Sequence, residues 1–414
     1  MVPDSAESAA LPARLRTIDT VLVLAVFALL PTAGLVNGPI YAPLLFGMAV
    51  LRLIIWRQLP RFDPVLTALA AGFALLCWAS CLWSIVPGHS VAGAAQTMAV
   101  LAGGLILLGG PAPPARLPGV MAGAILAGAA LMVADRLTGN RFLHVFTHHV
   151  GATKYNRGID YLLILLMPLL GVLVAERRWR LVALLAFAAA CVVAAGKNTT
   201  AYVSLPMAVL VLALAWRAPR LVPRLIGGGL AFGALLLPLA LRALSGVRAT
   251  FAPHIKESML RRLEIWDYVS ARVTERPLFG WGIWSAKSLP ISSEELSHYV
   301  REHGQGIYPH NQWLELWVET GFFGVLFGVG FVLLVLWRVR HLAPPLQPFA
   351  FAAVVLALMV SLTSFEVTTD SWWAALAACG FLFAAFDKHH AVGRESAAPP
   401  ATTAEMTAPL SAHG

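Results

Sequence analysis

The residues best suited to chemistry in this sequence are one histidine and a few arginines within a single long polar stretch. His310 stands in Tyr308-Pro309-His310-Asn311-Gln312, where the stretch that begins at Ser245 gives way to an apolar run starting at Trp313. Arg262 lies upstream in Arg261-Arg262-Leu263-Glu264-Ile265-Trp266, and Arg276-Pro277-Leu278-Phe279-Gly280-Trp281-Gly282 falls between the two. A neutral imidazole at a water–lipid boundary can accept a proton from a hydroxyl. Guanidinium groups stay charged and hold pyrophosphate oxygens in bidentate fashion. Arginines close to His310 would also lower its pKa and keep it neutral at pH 7. Together these residue types point to transfer from a lipid diphosphate to an alcohol, with arginine on the leaving group and histidine on the acceptor.

The local pattern says how such groups are held. Met259, Leu263, Trp266, Val269 (or Ser270) and Val273 recur at helical spacing and predict a helix with one apolar face. Arg262 lies one turn before Trp266, beside that face, so it points toward the membrane-facing side of the loop. Pro277 ends the helix, and Gly280 and Gly282 make a tight turn. Pro309 keeps the chain as coil until a new apolar helix begins, which puts His310 at that helix's start.

The rest of the chain supplies the support for this loop. Of 414 residues 58% are hydrophobic and only 12% charged, with a mean hydropathy of +0.74. A soluble domain has roughly 25% charged residues and could not cover so apolar a core. The apolar residues come in blocks of about 17–25, the length that spans a bilayer as helix. The expected fold class is therefore all-α, a polytopic integral membrane protein of about twelve spans. Their cores are Ile18–Val36, Pro39–Ile55, Pro64–Val86, Val91–Gly109, Pro118–Leu137, Ile159–Ala175, Leu181–Ala195, Thr200–Trp216, Leu225–Leu244, Trp313–Trp337, Phe349–Thr363 and Ser371–Phe386. The long loop, 245–312, joins the ninth and tenth. Residues 1–17 are expected as a cytoplasmic N-terminus, 18–387 as the membrane domain, and 388–414, rich in Ala, Pro, Ser and Thr, as a disordered cytoplasmic tail. The first apolar block reads as an anchor, with no cleavable signal pattern.

Orientation follows from the loops. Placing both termini inside puts Arg14, Arg16, Arg52, Arg57, Arg61, Arg116, Arg177, Arg178, Arg180, Arg217, Arg220, Arg224, Arg338, Arg340, Lys388 and Arg394 on the cytoplasmic side, at least one in every inner loop. The short outer connections at Asn37-Gly38, Pro87–Ser90 and Ser364–Asp370 carry none. The net charge of +9 is thus a membrane-topology signal, and no basic stripe on a soluble module suggests nucleic acid. Cys77, Cys81, Cys191 and Cys379 all fall in apolar spans and read as packing residues. The sequence has no Gly-x-Ser-x-Gly or phosphate-cradling glycine loop.

Three motifs now stand in order. Arg262-Leu263-Glu264-Ile265-Trp266, then Arg276-Pro277-Leu278-Phe279-Gly280-Trp281-Gly282, then His310-Asn311-Gln312-Trp313-Leu314-Glu315 with Glu319-Thr320-Gly321, resemble the O-antigen ligase and polymerase superfamily. The resemblance covers 262–324 well and the rest mainly by topology. It implies a metal-independent glycosyltransferase of the bacterial inner membrane, using no cofactor and working on the periplasmic face. The implied donor is an undecaprenyl-diphosphate-linked glycan and the implied acceptor lipid A–core or another glycan. His310 resembles the family's essential loop histidine and Arg262 its loop arginine. The family tends to have a basic residue, usually arginine, at an earlier outer helix end. Lys197, in Gly196-Lys197-Asn198-Thr199-Thr200, holds that place, giving a point charge where arginine gives a fork. Arg157, in Tyr155-Asn156-Arg157-Gly158, is a further candidate for the diphosphate.

Each of these residues also has a plainer reading. His310 could merely cap a helix, Arg262 could be a solvated loop charge, and Arg157 and Lys197 could snorkel at span ends. Glu315 and Glu319 lie in the first turns of a span, where a charge is costly and often functional, though the helix dipole also favours an acid there. Glu319 is a candidate to orient His310 or an arginine, and Asn311 and Trp266 are expected in supporting roles. His144, His148 and His149 could suggest a metal, but no carboxylate or thiol joins them. Ligase activity leads. The polymerase of the same superfamily, a protein O-oligosaccharyltransferase and an exopolysaccharide enzyme share the motifs. A secondary transporter or flippase is the alternative from another class, and it calls for mid-span charges and repeated halves.

Overall fold

Helix α1 (Ala13–Val36) opens a chain that is helical wherever its hydropathy is high. The structure, a computed structural model, describes residues 12–146, 155–246, 257–290 and 308–397. After α1 come α2 (Tyr41–Trp56), α3 (Pro64–Ser80), α4 (Pro87–Gly109), α5 (Leu117–Leu137), the short α6 (Arg141–Phe146), α7 (Asn156–Ala175), α8 (Trp179–Gly196), α9 (Thr199–Arg217) and α10 (Val222–Gly246). The loop helix α11 (Glu257–Glu275) follows, then α12 (Gln312–Val339), α13 (Gln347–Ser361) and α14 (Asp370–Ala397). The protein is all-α and polytopic, and every expected span coincides with a helix. Nine helical segments among the described residues are long and apolar enough to cross a membrane. Two expected spans are shorter, α3 with 17 residues and α13 with 15, and α14 is less apolar, carrying Asp370, Asp387 and Arg394. This last helix runs on through Lys388 to Ala397, into the stretch expected as tail. Residues 398–414 lie outside the described residues.

The bundle is built around α7. Its residues from Gly158 to Leu173 are buried on every side, as a helix apolar all round requires. It packs on α1, α5, α8, α9, α13 and α14. A second apolar region joins α10, α11 and α12, with Leu263, Trp266, Val269 and Val273 of α11 buried in it. These are the residues that define the predicted apolar face, so the loop helix is fastened to the bundle.

Helix ends gather into two sets, the same two that the loop charges separate. In one set Arg52 pairs with Asp19 at 2.7 Å and donates to the carbonyls of Pro111 and Ala112. Arg338 pairs with Asp63 there, and the Ala343 amide donates to Asp387. In the other set, Gly38 lies against Tyr161 and Arg157, Gln96 reaches the Thr368 carbonyl, and Thr200 bonds Thr363 and Ser364. His310 belongs to this second set.

Helix α12 is broken at Gly321 (φ 65°, ψ −159°). The Val318 and Glu319 carbonyls accept from the Trp281 and Gly282 amides at 2.8 and 2.9 Å. Further on, the Phe322 and Phe323 amides donate to the Pro277 and Leu278 carbonyls at 2.8 and 3.4 Å. In an unbroken helix those two amides would bond those two carbonyls. The 277–282 segment therefore takes over these two carbonyls and two amides, as a low-dielectric setting demands. Gly280 (φ 67°) is required by the approach: a Cβ there would meet the Glu319 carbonyl carbon at 2.5 Å. At Gly321 a Cβ would collide with the Leu278 backbone. The glycines read from sequence as a tight turn thus serve a closer purpose, a seam between two motifs.

Candidate active site

His310 is set by its neighbours in sequence. Its backbone takes a left-handed conformation (φ 49°), which a non-glycine side chain adopts at a cost of about 1–2 kcal/mol. The next residue, Asn311, is extended and caps α12, its side-chain oxygen accepting from the Trp313 and Leu314 amides at 3.1 Å each. Just before, the Pro309 carbonyl accepts from Trp266 Nε1 at 2.6 Å. The Tyr308 ring meets the His310 ring edge-on at 4.2 Å between centroids. Asn311 thus fixes the helix start, and Trp266 ties the peptide before His310 to α11.

Three cations act on the imidazole through their charge. Half-buried Arg262 comes from α11, one turn before Trp266, and Arg157 from the first turn of α7. Lys287 comes from the single turn Ala286–Ser288. Burial, then Arg262, Arg157 and Lys287 in that order, push the His310 pKa down to about 4, so the ring is neutral at pH 7. The arginine effect read from sequence is present, but removal from water leads it. Burial also lowers the Arg262 pKa, while the Tyr308 hydroxyl facing it acts in the other direction. Arg157 sits with its guanidinium carbon 5.8 Å from the Phe365 ring centroid. Among the described residues neither Arg262 nor Arg157 has a carboxylate partner or a hydrogen bond, which leaves both forks available to an anion.

The acidic residues bind backbone. Glu319 Oε1 accepts from the Ala286 amide at 3.2 Å, and Oε2 is buried with no partner within hydrogen-bonding distance among the described residues. Glu315 Oε2 accepts from the Val367 amide at 2.7 Å. The geometry puts Glu319 on the 284–286 turn, with no bond to His310 or to an arginine among the described residues. Lys197 is exposed, in a left-handed conformation at the end of α8 (φ 52°). It has no contact with His310, Arg262 or Arg157 among the described residues. Its neighbour Asn198 caps α9 and donates to the Asn156 carbonyl and to Asp160 at 3.0 and 2.9 Å, which draws the α8 end to the start of α7 where Arg157 stands. His144 is exposed on α6, and His148 and His149 lie outside the described residues.

Sequence reasoning missed three participants. Lys287 and Glu366 form an ion pair, with Lys287 Nζ 3.0 and 2.9 Å from the two carboxylate oxygens, and Lys287 Nζ stands 5.3 Å from the Tyr308 ring centroid. Tyr308 was visible only as a flank of His310. The acid in the short 364–370 connection, which otherwise lacks charge until Asp370, was the only sequence trace of Glu366.

Similarity to known proteins can be set on this geometry. Residues 183–327 match the family model described as O-Antigen ligase, a range that takes in Lys197, Arg262, Glu319 and His310. A protein of Rickettsia bellii (strain RML369-C) named "Putative polysaccharide ligase" is 23% identical over 314 residues, 73% of this chain and 76% of that one. Relatives of the same description from Rickettsia felis (strain ATCC VR-1525 / URRWXCal2) and Rickettsia typhi (strain ATCC VR-144 / Wilmington) are 24% and 30% identical. They align over 36% and 25% of this chain, and over 36% and 26% of their own. The matched region contains the loop helix, the break in α12 and the histidine between them, and over it the chain is similar to the O-antigen ligase family.

Proposed function

We propose that the chain transfers a glycan from undecaprenyl diphosphate to lipid A–core at the periplasmic face of the bacterial inner membrane. The observation that carries this reading is a neutral, half-buried imidazole in the field of three cations, two of them guanidinium groups without carboxylate partners among the described residues. The acceptor hydroxyl gives its proton to a His310 ring nitrogen. Its oxygen then bonds to the anomeric carbon of the donor sugar as the carbon–oxygen bond to diphosphate breaks. The bonding pair leaves on the diphosphate oxygen, where Arg262 and Arg157 stabilise the charge, with Lys197 as an outer contact. No step in this scheme calls for a cofactor. Direct displacement gives inversion, as the family resemblance implies.

A base with a pKa near 4 is weak, and general-base catalysis works best with a pKa near the operating pH. The donor corrects this. A diphosphate placed against Arg262 and Arg157 cancels part of the positive field at His310 and raises its pKa only once substrate is bound.

The experiment is a deletion strain complemented with wild type or His310→Ala and examined by lipopolysaccharide gel. Loss of every O-unit on the core, with polymer held on the carrier and no rescue by His310→Ala, supports the ligase. A core bearing one repeat reassigns the chain to polymerase. Unchanged lipopolysaccharide would turn attention to a protein or exopolysaccharide acceptor. The names of the relatives favour the ligase among these.

A further inference from the structure

We propose that Lys287 and Glu366 form a charge-balanced clasp that positions Tyr308, and through its ring the His310 imidazole, for proton transfer. The proposal rests on His310 being the base. The clasp joins two segments far apart in sequence, and both are anchored to the start of α12. The Glu366 carbonyl accepts from Gln312 Nε2 at 2.7 Å, the Val367 amide donates to Glu315, and the Ala286 amide donates to Glu319. The Tyr308 ring meets both the Lys287 ammonium, 5.3 Å from its centroid, and the His310 ring, 4.2 Å between centroids. Its hydroxyl is buried without a hydrogen-bond partner among the described residues.

The exposure of the pair separates a positioning role from a stability role. The Lys287 side chain is 54% exposed and that of Glu366 22%. Ion pairs this open contribute little to stability. What this pair does supply is a fixed charge beside the imidazole and its counter-charge. The groups facing His310 are Arg262 from α11, Arg157 from α7, Lys287 from the 286–288 turn and Tyr308 from its own segment. Glu315 and Glu319 from α12, and Glu366 from the α13–α14 turn, face Tyr308.

The test uses the purified full chain in proteoliposomes, with undecaprenyl-diphosphate-linked repeat unit as donor and lipid A–core as acceptor. Lys287→Met removes a cation and leaves Glu366 unbalanced, so protonated His310 is favoured and the acid limb of the rate moves up by about half a pH unit. Glu366→Gln leaves the cation unbalanced and moves the limb down. The double variant returns it near the wild-type position. Each single variant is expected to lower kcat about tenfold with donor KM little changed, and Lys287→Arg to restore most of the rate. Tyr308→Leu is expected to cost about 100-fold in kcat, most of it recovered by Tyr308→Phe, which keeps the ring. Thermal unfolding of each variant reports folding separately. Limbs that move in the same direction, or stay fixed with kcat within twofold of wild type, overturn the clasp. If His310→Ala itself retains the wild-type rate, the base assignment fails instead, and the two failures are told apart.

Discussion

The molecule has two places where arginine enters the bundle, and they are wired in opposite ways. Arg52, 2% exposed, spends its donors on protein: Nε and Nη2 reach the two Asp19 oxygens at 2.7 and 3.0 Å, and the Pro111 and Ala112 carbonyls take the rest. Arg262 and Arg157, on the other face, have no such partners among the described residues. Burying a charge is costly unless it is paired and hydrogen-bonded. A filled guanidinium is a structural tie. Half-buried Arg262 and exposed Arg157 keep their donors open beside His310, as the proposed diphosphate site requires.

Four perturbations can break or sharpen that contrast. The largest effect is expected from Asp19→Asn, which leaves Arg52 buried without its counter-charge and should cost about 3–5 kcal/mol of stability in thermal or denaturant unfolding. The surviving folded fraction should keep its turnover. Arg262→Ala is the mirror case: transfer falls about 10²–10³-fold, the range for losing one donor to a developing anion, while the unfolding midpoint barely moves. If the two variants exchanged these phenotypes, the division of roles would be wrong. Gly321→Ala should lose about 1–3 kcal/mol, through strain at positive φ and collision with Leu278. Its activity should fall as the seam shifts Glu319 and the 284–286 turn. Asn311→Ala removes a helix cap and is expected to cost about 1 kcal/mol in the same unfolding assay.

The pH dependence gives a smaller but sharper signal. With His310 held at about 4 in the free protein, kcat/KM should stay level from neutral pH downward and fall only as pH drops toward 4. The sign is that of a base: protonation at low pH removes it. The acid limb of kcat, which reports the donor complex, should lie at higher pH than that of kcat/KM, because bound diphosphate offsets Arg262 and Arg157. Coincident limbs in the two profiles would argue against diphosphate binding at these arginines.

Much of this was legible in the sequence, for identifiable reasons. The α11 face of Leu263, Trp266, Val269 and Val273 follows from a 3.6-residue period. Its end follows from Pro277, and the entry of His310 into α12 from the change in composition at Trp313. The pairing of His310 with Arg262 followed from residue chemistry and the motif resemblance, whereas the Trp266 bond to Pro309 that ties α11 to the His310 segment left no sequence trace. The seam was not legible: it trades backbone bonds between segments about 40 residues apart, and a glycine announces freedom without naming what comes close. Lys287 and Glu366 escaped because an ion pair across long separation leaves no local period. Arg157 and Lys197 entered as equal helpers. Both are exposed, but the charge of Arg157 acts on His310 while Lys197 stands at an adjoining helix end.

The central claim is that His310 removes the acceptor proton while arginine holds the leaving diphosphate. Its most direct test is the transfer rate of purified His310→Ala in proteoliposomes, measured with undecaprenyl-diphosphate-linked glycan and lipid A–core beside donor binding and thermal unfolding of the same preparation. The account predicts a loss of about 10²–10⁴-fold in turnover, with donor affinity and unfolding midpoint close to wild type. Turnover at the wild-type rate in that variant would contradict it.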